Sequence, residues 1–286
     1  MKKKTSLAFL LIMFLSACPS LCAYMPPSFH VGRTSALFST PPSDDERQSK
    51  PTPSSLDPKV KPLKNELITI AEKTRRGFTA SRDERKKVER IVMDLSLCSP
   101  TQDPAAAYYG EDIRSGSDEH LGMGATLSGK WTLIYTDAPD ITSLEGGPLS
   151  PAKLGRIGQE CTPPFIKNVI EWKKPDWASS LPFSGTKSSR ILQKVCCKGS
   201  SNASKPTVVD LTLVGLEISG ESENEDGTID STGPAAFFEN FPVKLEGPLS
   251  LTFGRFEILY LDDDMRITRT YQGFTAVNVR DESEWF

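Results

Sequence analysis

Histidine is almost missing from this 286-residue chain, which has two, His30 and His120. Beyond the N-terminal 60 residues only His120 remains, in a run rich in Gly, Ser and Asp, and no Gly-x-Ser-x-Gly elbow accompanies it. A Ser-His-Asp type of acyl transfer therefore lacks its parts, and His120 reads as a solvated loop residue. Glycine-rich phosphate loops and dinucleotide fingerprints are also absent. The six cysteines contain no Cys-x-x-Cys, so no metal site is expected. Positive charge is not in excess: 34 Lys and Arg against 37 Asp and Glu leave a net charge of -3, without the basic footprint of a nucleic-acid partner. Long apolar runs are confined to one place, Leu7 to Leu15, so the rest of the chain is expected to be soluble or peripheral.

That apolar run follows Lys2, Lys3 and Lys4 and precedes small residues up to Ala23, which makes residues 1–23 a signal peptide. Residues 24–43 hold no Asp or Glu and are rich in Ser, Thr, Pro and Ala, a transit-peptide composition. Residues 24–60 together read as a transit-like segment and disordered linker. Such a bipartite presequence points to a complex plastid. Two rival addresses share these residues. Leu15-Ser16-Ala17-Cys18 fits a bacterial lipoprotein box, and Asn202-Ala203-Ser204 would be a glycosylation acceptor in a secreted protein. Cys98, Cys161, Cys196 and Cys197 favour a reducing compartment with free thiols, because vicinal Cys196 and Cys197 on a strand point to opposite faces.

Order is expected over 61–286. Leu63, Leu67, Ile70 and Ala71 form a helical stripe ending at a Gly77 cap, and a second helix starts at Ser81 with Glu84 completing a capping box ahead of Val88, Ile91, Val92 and Leu95. The pair spans 61–97. Residues 98–128 read as a loop or insertion. From Gly129 short apolar runs alternate with Gly, Pro and Asp, predicting strands near 130–136, 155–161, 164–173, 189–197, 207–219, 236–245, 255–261, 265–271 and 274–280. The fold class is thus mainly β, an antiparallel barrel over 129–286 behind a helical pair, since closure removes exposed strand edges.

Chemistry has few candidate sites. Asp262, Asp263 and Asp264 are consecutive, so their carboxylates do not converge on a cation, and turn chemistry explains them. Arg266 and Arg269 face opposite sides of a strand; Arg269 shares its side with Met265 and Ile267 and is the one expected inside, either paired or orienting a polar head group. Glu221, Glu223, Glu225, Asp226 and Asp230 read as a solvated loop. Parity gives the cavity candidates: Trp131, Leu133 and Tyr135; Ile166, Ile170 and Trp172; Phe256, Ile258 and Tyr260; and Arg269. An interior of this size is either filled by side chains or holds one small ligand. No cofactor is called for.

The hairpin Phe253 to Arg269 with Tyr260-Leu261-Asp262 and Met265-Arg266-Ile267-x-Arg269, together with Gly129-Lys130-Trp131, resembles the plastid lipid-associated proteins, or fibrillin (plastoglobulin) family. Gly-x-Trp also resembles the lipocalin signature, in which an Arg of the last strands, here Arg269 or Arg280, packs on the Trp. The resemblance covers 129–280 well and 62–97 loosely. It implies a lipocalin-like barrel with no enzymatic activity that binds or organises carotenoids, prenylquinones or fatty acids at thylakoids or plastoglobules. Its partners would be an apolar small molecule or lipid and a peripheral membrane or lipid-droplet surface. Two other readings stay open: a scaffold docking a lipid- or quinone-biosynthetic enzyme, and a barrel isomerase or cyclase using Arg269, Asn168 or Glu171.

Overall fold

A computed structural model describes residues 58–109, 125–146, 150–179, 186–224, 234–283 and 285–286. The signal peptide, nearly all of the transit-like segment and linker, His120, Glu225, Asp226 and Asp230 lie outside the described residues. Two helices lead the ordered chain, α1 over Val60–Lys73 and α2 over Arg82–Leu97. Their expected stripes are the faces they bury: Leu67, Ile70 and Ala71 on α1, with Val88, Ile91, Val92 and Leu95 on α2. Apolar residues three and four apart share one side of a helix, so burying that side holds each helix in place.

The α2 start is the capping box that the sequence predicts. Glu84 N donates to Ser81 Oγ at 3.3 Å, and Ser81 N donates to Glu84 Oε2 at 2.9 Å. Ser81→Ala is expected to cost about 1 kcal/mol in a chemical denaturation curve, and an unchanged midpoint would show that packing alone fixes this end. The α1 end differs from expectation. The helix stops at Lys73, and Arg75, Arg76 and Gly77 take φ of 50°, 64° and 90°. Gly77 is required by a close approach rather than by a cap, since a Cβ there would lie 2.1 Å from Thr136 O. Thr136 N meanwhile donates to Arg76 O at 3.0 Å, which docks the interhelical turn on the first strand.

Eight antiparallel strands close a ring in sequence order: β1 Gly129–Thr136, β2 Lys153–Thr162, β3 Phe165–Lys173, β4 Thr186–Asn202, β5 Lys205–Asn224, β6 Val243–Leu261, β7 Met265–Thr270 and β8 Thr275–Arg280. The expected strand at 236–245 is corrected: Pro234–Asn240 is a helix, α3, and β6 runs unbroken from Val243 through the segment expected at 255–261. Ala235, Ala236 and Phe238 are buried, and the helix backbone packs on Gly220, where a Cβ would come within 1.8 Å of Ala235 O. Local pattern reads Ala235 to Asn240 equally well as strand or helix, and packing selects the helix.

Strand lengths give the barrel its shape. The closing strands β1, β7 and β8 have 8, 6 and 6 residues, whereas β4, β5 and β6 have 17, 20 and 19. The ring is therefore tight at one end and extends at the other as a curved sheet of long strands. None of the four described cysteines is in a disulfide, and Cys161 and Cys197 are buried inside with Cys196 on the other face of its strand.

Candidate ligand-binding interior

The tight end is sealed by Trp131. Its ring is fully buried, its Nε1 donates to Leu127 O at 2.9 Å, and two guanidinium groups face it, Arg280 at 4.2 Å and Arg266 at 5.0 Å from the ring centroid. Each contact adds on the order of 1 kcal/mol or more when desolvated. Arg280 also donates to Ser128 O and Thr126 O, both at 2.9 Å, pulling the approach to β1 across the barrel end. Gly129 takes φ 120° there, and a Cβ on it would meet Arg280 Nη1 at 2.7 Å. Gly-x-Trp is thus a packing requirement in this chain, and Arg280 and Arg266, not Arg269, supply the partners. A short 3-10 turn, Ala106–Tyr108, plugs the same end, where buried Tyr108 lies so close to Gly199 that a Cβ would meet its Cδ1 at 2.7 Å.

Around this seal the inward residues form one cluster: Trp131, Cys161, Ile166, Cys197, Val209, Leu211, Phe256, Ile258 and Leu261. Leu133 is buried beside them on the same strand face as Trp131. Of the cavity candidates, Trp131, Leu133, Ile166, Phe256 and Ile258 therefore line a filled floor. Ile170 and Trp172 also point inward, higher up. They share the face of Ile166 through an unbroken β3–β4 register, and both are only partly buried.

Tyr135, Tyr260 and Arg269 are corrections, since all three lie on the outer face. Register shifts between Leu133 and Tyr135 and between Ile258 and Tyr260 each mark a bulge, and an extra residue turns the next side chain to the opposite face. Both tyrosines then join Met265, Ile267 and Val277 in the core beneath α1 and α2. Burial pushes the Tyr135 phenol up to about 12, and burial with the neighbouring Asp262 carboxylate pushes Tyr260 higher still, so both stay neutral. Arg269 follows Met265 and Ile267 to that side and pairs with Glu89 of α2 at 2.7 Å. Arg266, one residue out of phase, is the arginine that enters the barrel.

The hairpin aspartates act as turn residues. Asp262 Oδ1 accepts from Met265 N at 2.8 Å and Asp264 N at 3.0 Å, while Oδ2 accepts from Lys64 Nζ at 2.8 Å and from the Tyr260 hydroxyl. Burial opposes ionisation of Asp262, but Lys64, Tyr260 and the Met265 amide outweigh it and hold the carboxyl below its usual range. The turn thus fastens α1 to the barrel.

Above the floor the inner surface changes character. Ile170, Trp172, Ile191, Val195, Leu213 and Leu216 all project from the inward face of β3, β4 and β5, and all are only partly buried. Polar side chains are interleaved with them: Gln159 Nε2 donates to Asn168 Oδ1 at 2.7 Å, and Trp172 Nε1 donates to Gln193 Oε1 at 3.2 Å. Helix α3 covers the far end of β5, where Ser222 N and Oγ both donate to Glu239 Oε2 at 3.2 Å. This arrangement offers a sealed floor and, above it, a partly open apolar wall with polar groups set among its side chains, a shape suited to a molecule with a long apolar body.

Sequence reasoning missed Ile191, Val195, Leu213, Leu216 and Arg266 as inward residues. For Ile191 and Val195 the alternation Ile191-x-Gln193-x-Val195-x-Cys197 carried the signal. For Arg266 the clue is that Met265 and Ile267 match an apolar helical stripe elsewhere in the chain, which sends their neighbour inward.

The PAP_fibrillin family model matches residues 115–278, more than half of the chain. Among known proteins, probable plastid-lipid-associated protein 5, chloroplastic, from Arabidopsis thaliana is 28% identical over 109 residues, which is 38% of this chain and 35% of that protein. The similar region thus spans about a third of the relative's length. No solved structure matches.

Proposed function

Because this chain belongs to the PAP_fibrillin family, we propose that it is a plastid protein that associates with lipid and performs no reaction on it. Its ligand is an apolar metabolite such as a carotenoid, a prenylquinone or a fatty acid, held on the inner wall of the long strands. The observation that carries this reading is the contrast within the barrel: fully buried residues at the Trp131 floor, and partly open apolar residues such as Ile170, Trp172 and Leu216 above it. The relative's chloroplast address and the transit-like composition of residues 24–43 support a plastid location. Thylakoid or plastoglobule surfaces are the proposed docking sites. Phe237 of α3 and Phe241 just after it fit that role, being 44% and 65% exposed at the end where the long strands open.

The enzymatic alternative loses support from side-chain placement. Of its three candidates, Glu171 and Arg269 lie on the outer face and only Asn168 points inward. The scaffold alternative keeps one observation in its favour. Met93 and Leu97 of α2 are exposed, and Leu97 borders a surface groove of about 540 Å³ beside Pro62 and Leu63. Lipid extraction and mass spectrometry of the protein isolated from its own plastids separate the readings. A carotenoid, quinone or fatty acid recovered in stoichiometric amount is expected. Recovery of a protein partner with no apolar compound would replace lipid binding by scaffolding.

A further inference from the structure

The inner wall formed by β7 and β8 carries three buried polar side chains whose hydrogen-bonding capacity the fold leaves partly or wholly unused. Arg266 is 2% exposed, and its Nε has no hydrogen-bond partner. Its guanidinium touches the Trp131 ring and donates from Nη1 to Cys161 Sγ at 3.4 Å, and among the described residues it has no carboxylate in ion-pair reach. Burial pushes the Cys161 thiol up, so the sulfur stays protonated and does not balance the charge. Asn278 pairs with Arg266 across the sheet and is 5% exposed, and Thr268 on the same face is 8% exposed. Neither side chain makes a hydrogen bond among the described residues. A buried cation with no neutralising carboxylate is costly, and the amide and hydroxyl beside it on the same face keep donors free for a ligand. On the opposite wall the corresponding polar pair bonds internally, Gln159 Nε2 donating to Asn168 Oδ1.

We infer that Arg266, Asn278 and Thr268 form the seat for the carboxylate head group of a long-chain amphiphile whose tail runs up the apolar wall of β3 to β5. A carboxylate supplies the missing negative charge and accepts from the guanidinium, the amide and the hydroxyl at once. Neutral carotenes present nothing to these donors, and a quinone carbonyl satisfies one donor without balancing the charge. The assignment rests on the reading of the interior as a lipid site, and it narrows that reading to acids.

Calorimetric titration of the full chain with oleate and with methyl oleate tests it. Oleate is expected to bind about tenfold tighter than its ester, from charge-assisted hydrogen bonds alone. In Arg266→Gln that ratio falls towards one. Should this variant fail to fold, Asn278→Leu, which leaves the charge in place, is expected to reduce the ratio about threefold. Equal binding of acid and ester by the natural chain would overturn the head-group seat and leave lipid binding standing. Binding of neither would overturn both. An acid preference that survives in the variants would place the head group elsewhere and overturn the assignment.

Discussion

Trp131→Ala is expected to lower folding stability by about 4 kcal/mol, the middle of the range for truncating a large buried aromatic. The ring is fully buried at the sealed end of the barrel, and its removal leaves a cavity between Arg266 and Arg280. Two guanidiniums then face each other without the π-cloud that separates them. In a domain of this size such a loss lowers the thermal midpoint by roughly 10 °C. Trp131→Phe keeps a ring but loses the hydrogen bond to Leu127 O, and about half of the effect should remain. A midpoint within 2 °C of the natural chain for Trp131→Ala, about the shift of a surface substitution, would mean that the floor is held by Tyr108 and the β6 aromatics instead.

Acid is expected to loosen the outer wall through Glu171. This carboxylate is 1% exposed, yet it lies on the outer face, beneath Arg156, Lys173 and Arg190. Burial raises its pKa, but hydrogen bonds from the Arg156 side chain and amide, with the charges of Arg156 and Lys173, outweigh burial and hold it at about 2 against an ordinary 4.5. A carboxyl depressed by folding stabilises the protein above its unfolded value and loses that contribution as pH falls. The window here runs from about 4.5 down to about 2. Arg156 and Lys173 are themselves half open to solvent, which screens the attraction, so the contribution is on the order of 2 kcal/mol.

The consequence reaches the chain's last residues. Arg190 Nη1 donates to Trp285 O at 3.0 Å, and Arg156 stacks 4.7 Å from the Trp285 ring centroid. Gly158 leaves room for that ring, since a Cβ would meet Trp285 Cζ2 at 2.7 Å. Denaturation curves between pH 7 and 2.5 should show a steeper loss for the natural chain than for Glu171→Gln, which already lacks the charge at neutral pH. Parallel pH profiles for the two proteins would assign the acid sensitivity to other carboxyls, Asp262 and Asp281 among them.

Much of this protein is legible in its sequence because the signals are local. The stripes of α1 and α2 recur at helical spacing, Ser81 and Glu84 are three residues apart, and Asp262 caps amides within its own turn. Gly129-x-Trp131 and Arg280 are also visible as residues, and the β-rich pattern from Gly129 onward is enough to give the fold class. What the sequence alone did not determine is which side of each strand faces in. Alternation carries a relative parity along one strand, and a bulge resets it with no mark in residue type; Tyr135 and Tyr260 change faces for that reason. Arg266 and Arg269 differ only in phase, so their roles depend on α1 and α2 claiming the Met265 and Ile267 face. The helix at Pro234–Asn240 likewise depends on a glycine in another strand. Local chemistry specified the elements, and long-range packing, which assigns each apolar face to a partner distant in sequence, decided which side chains line the interior.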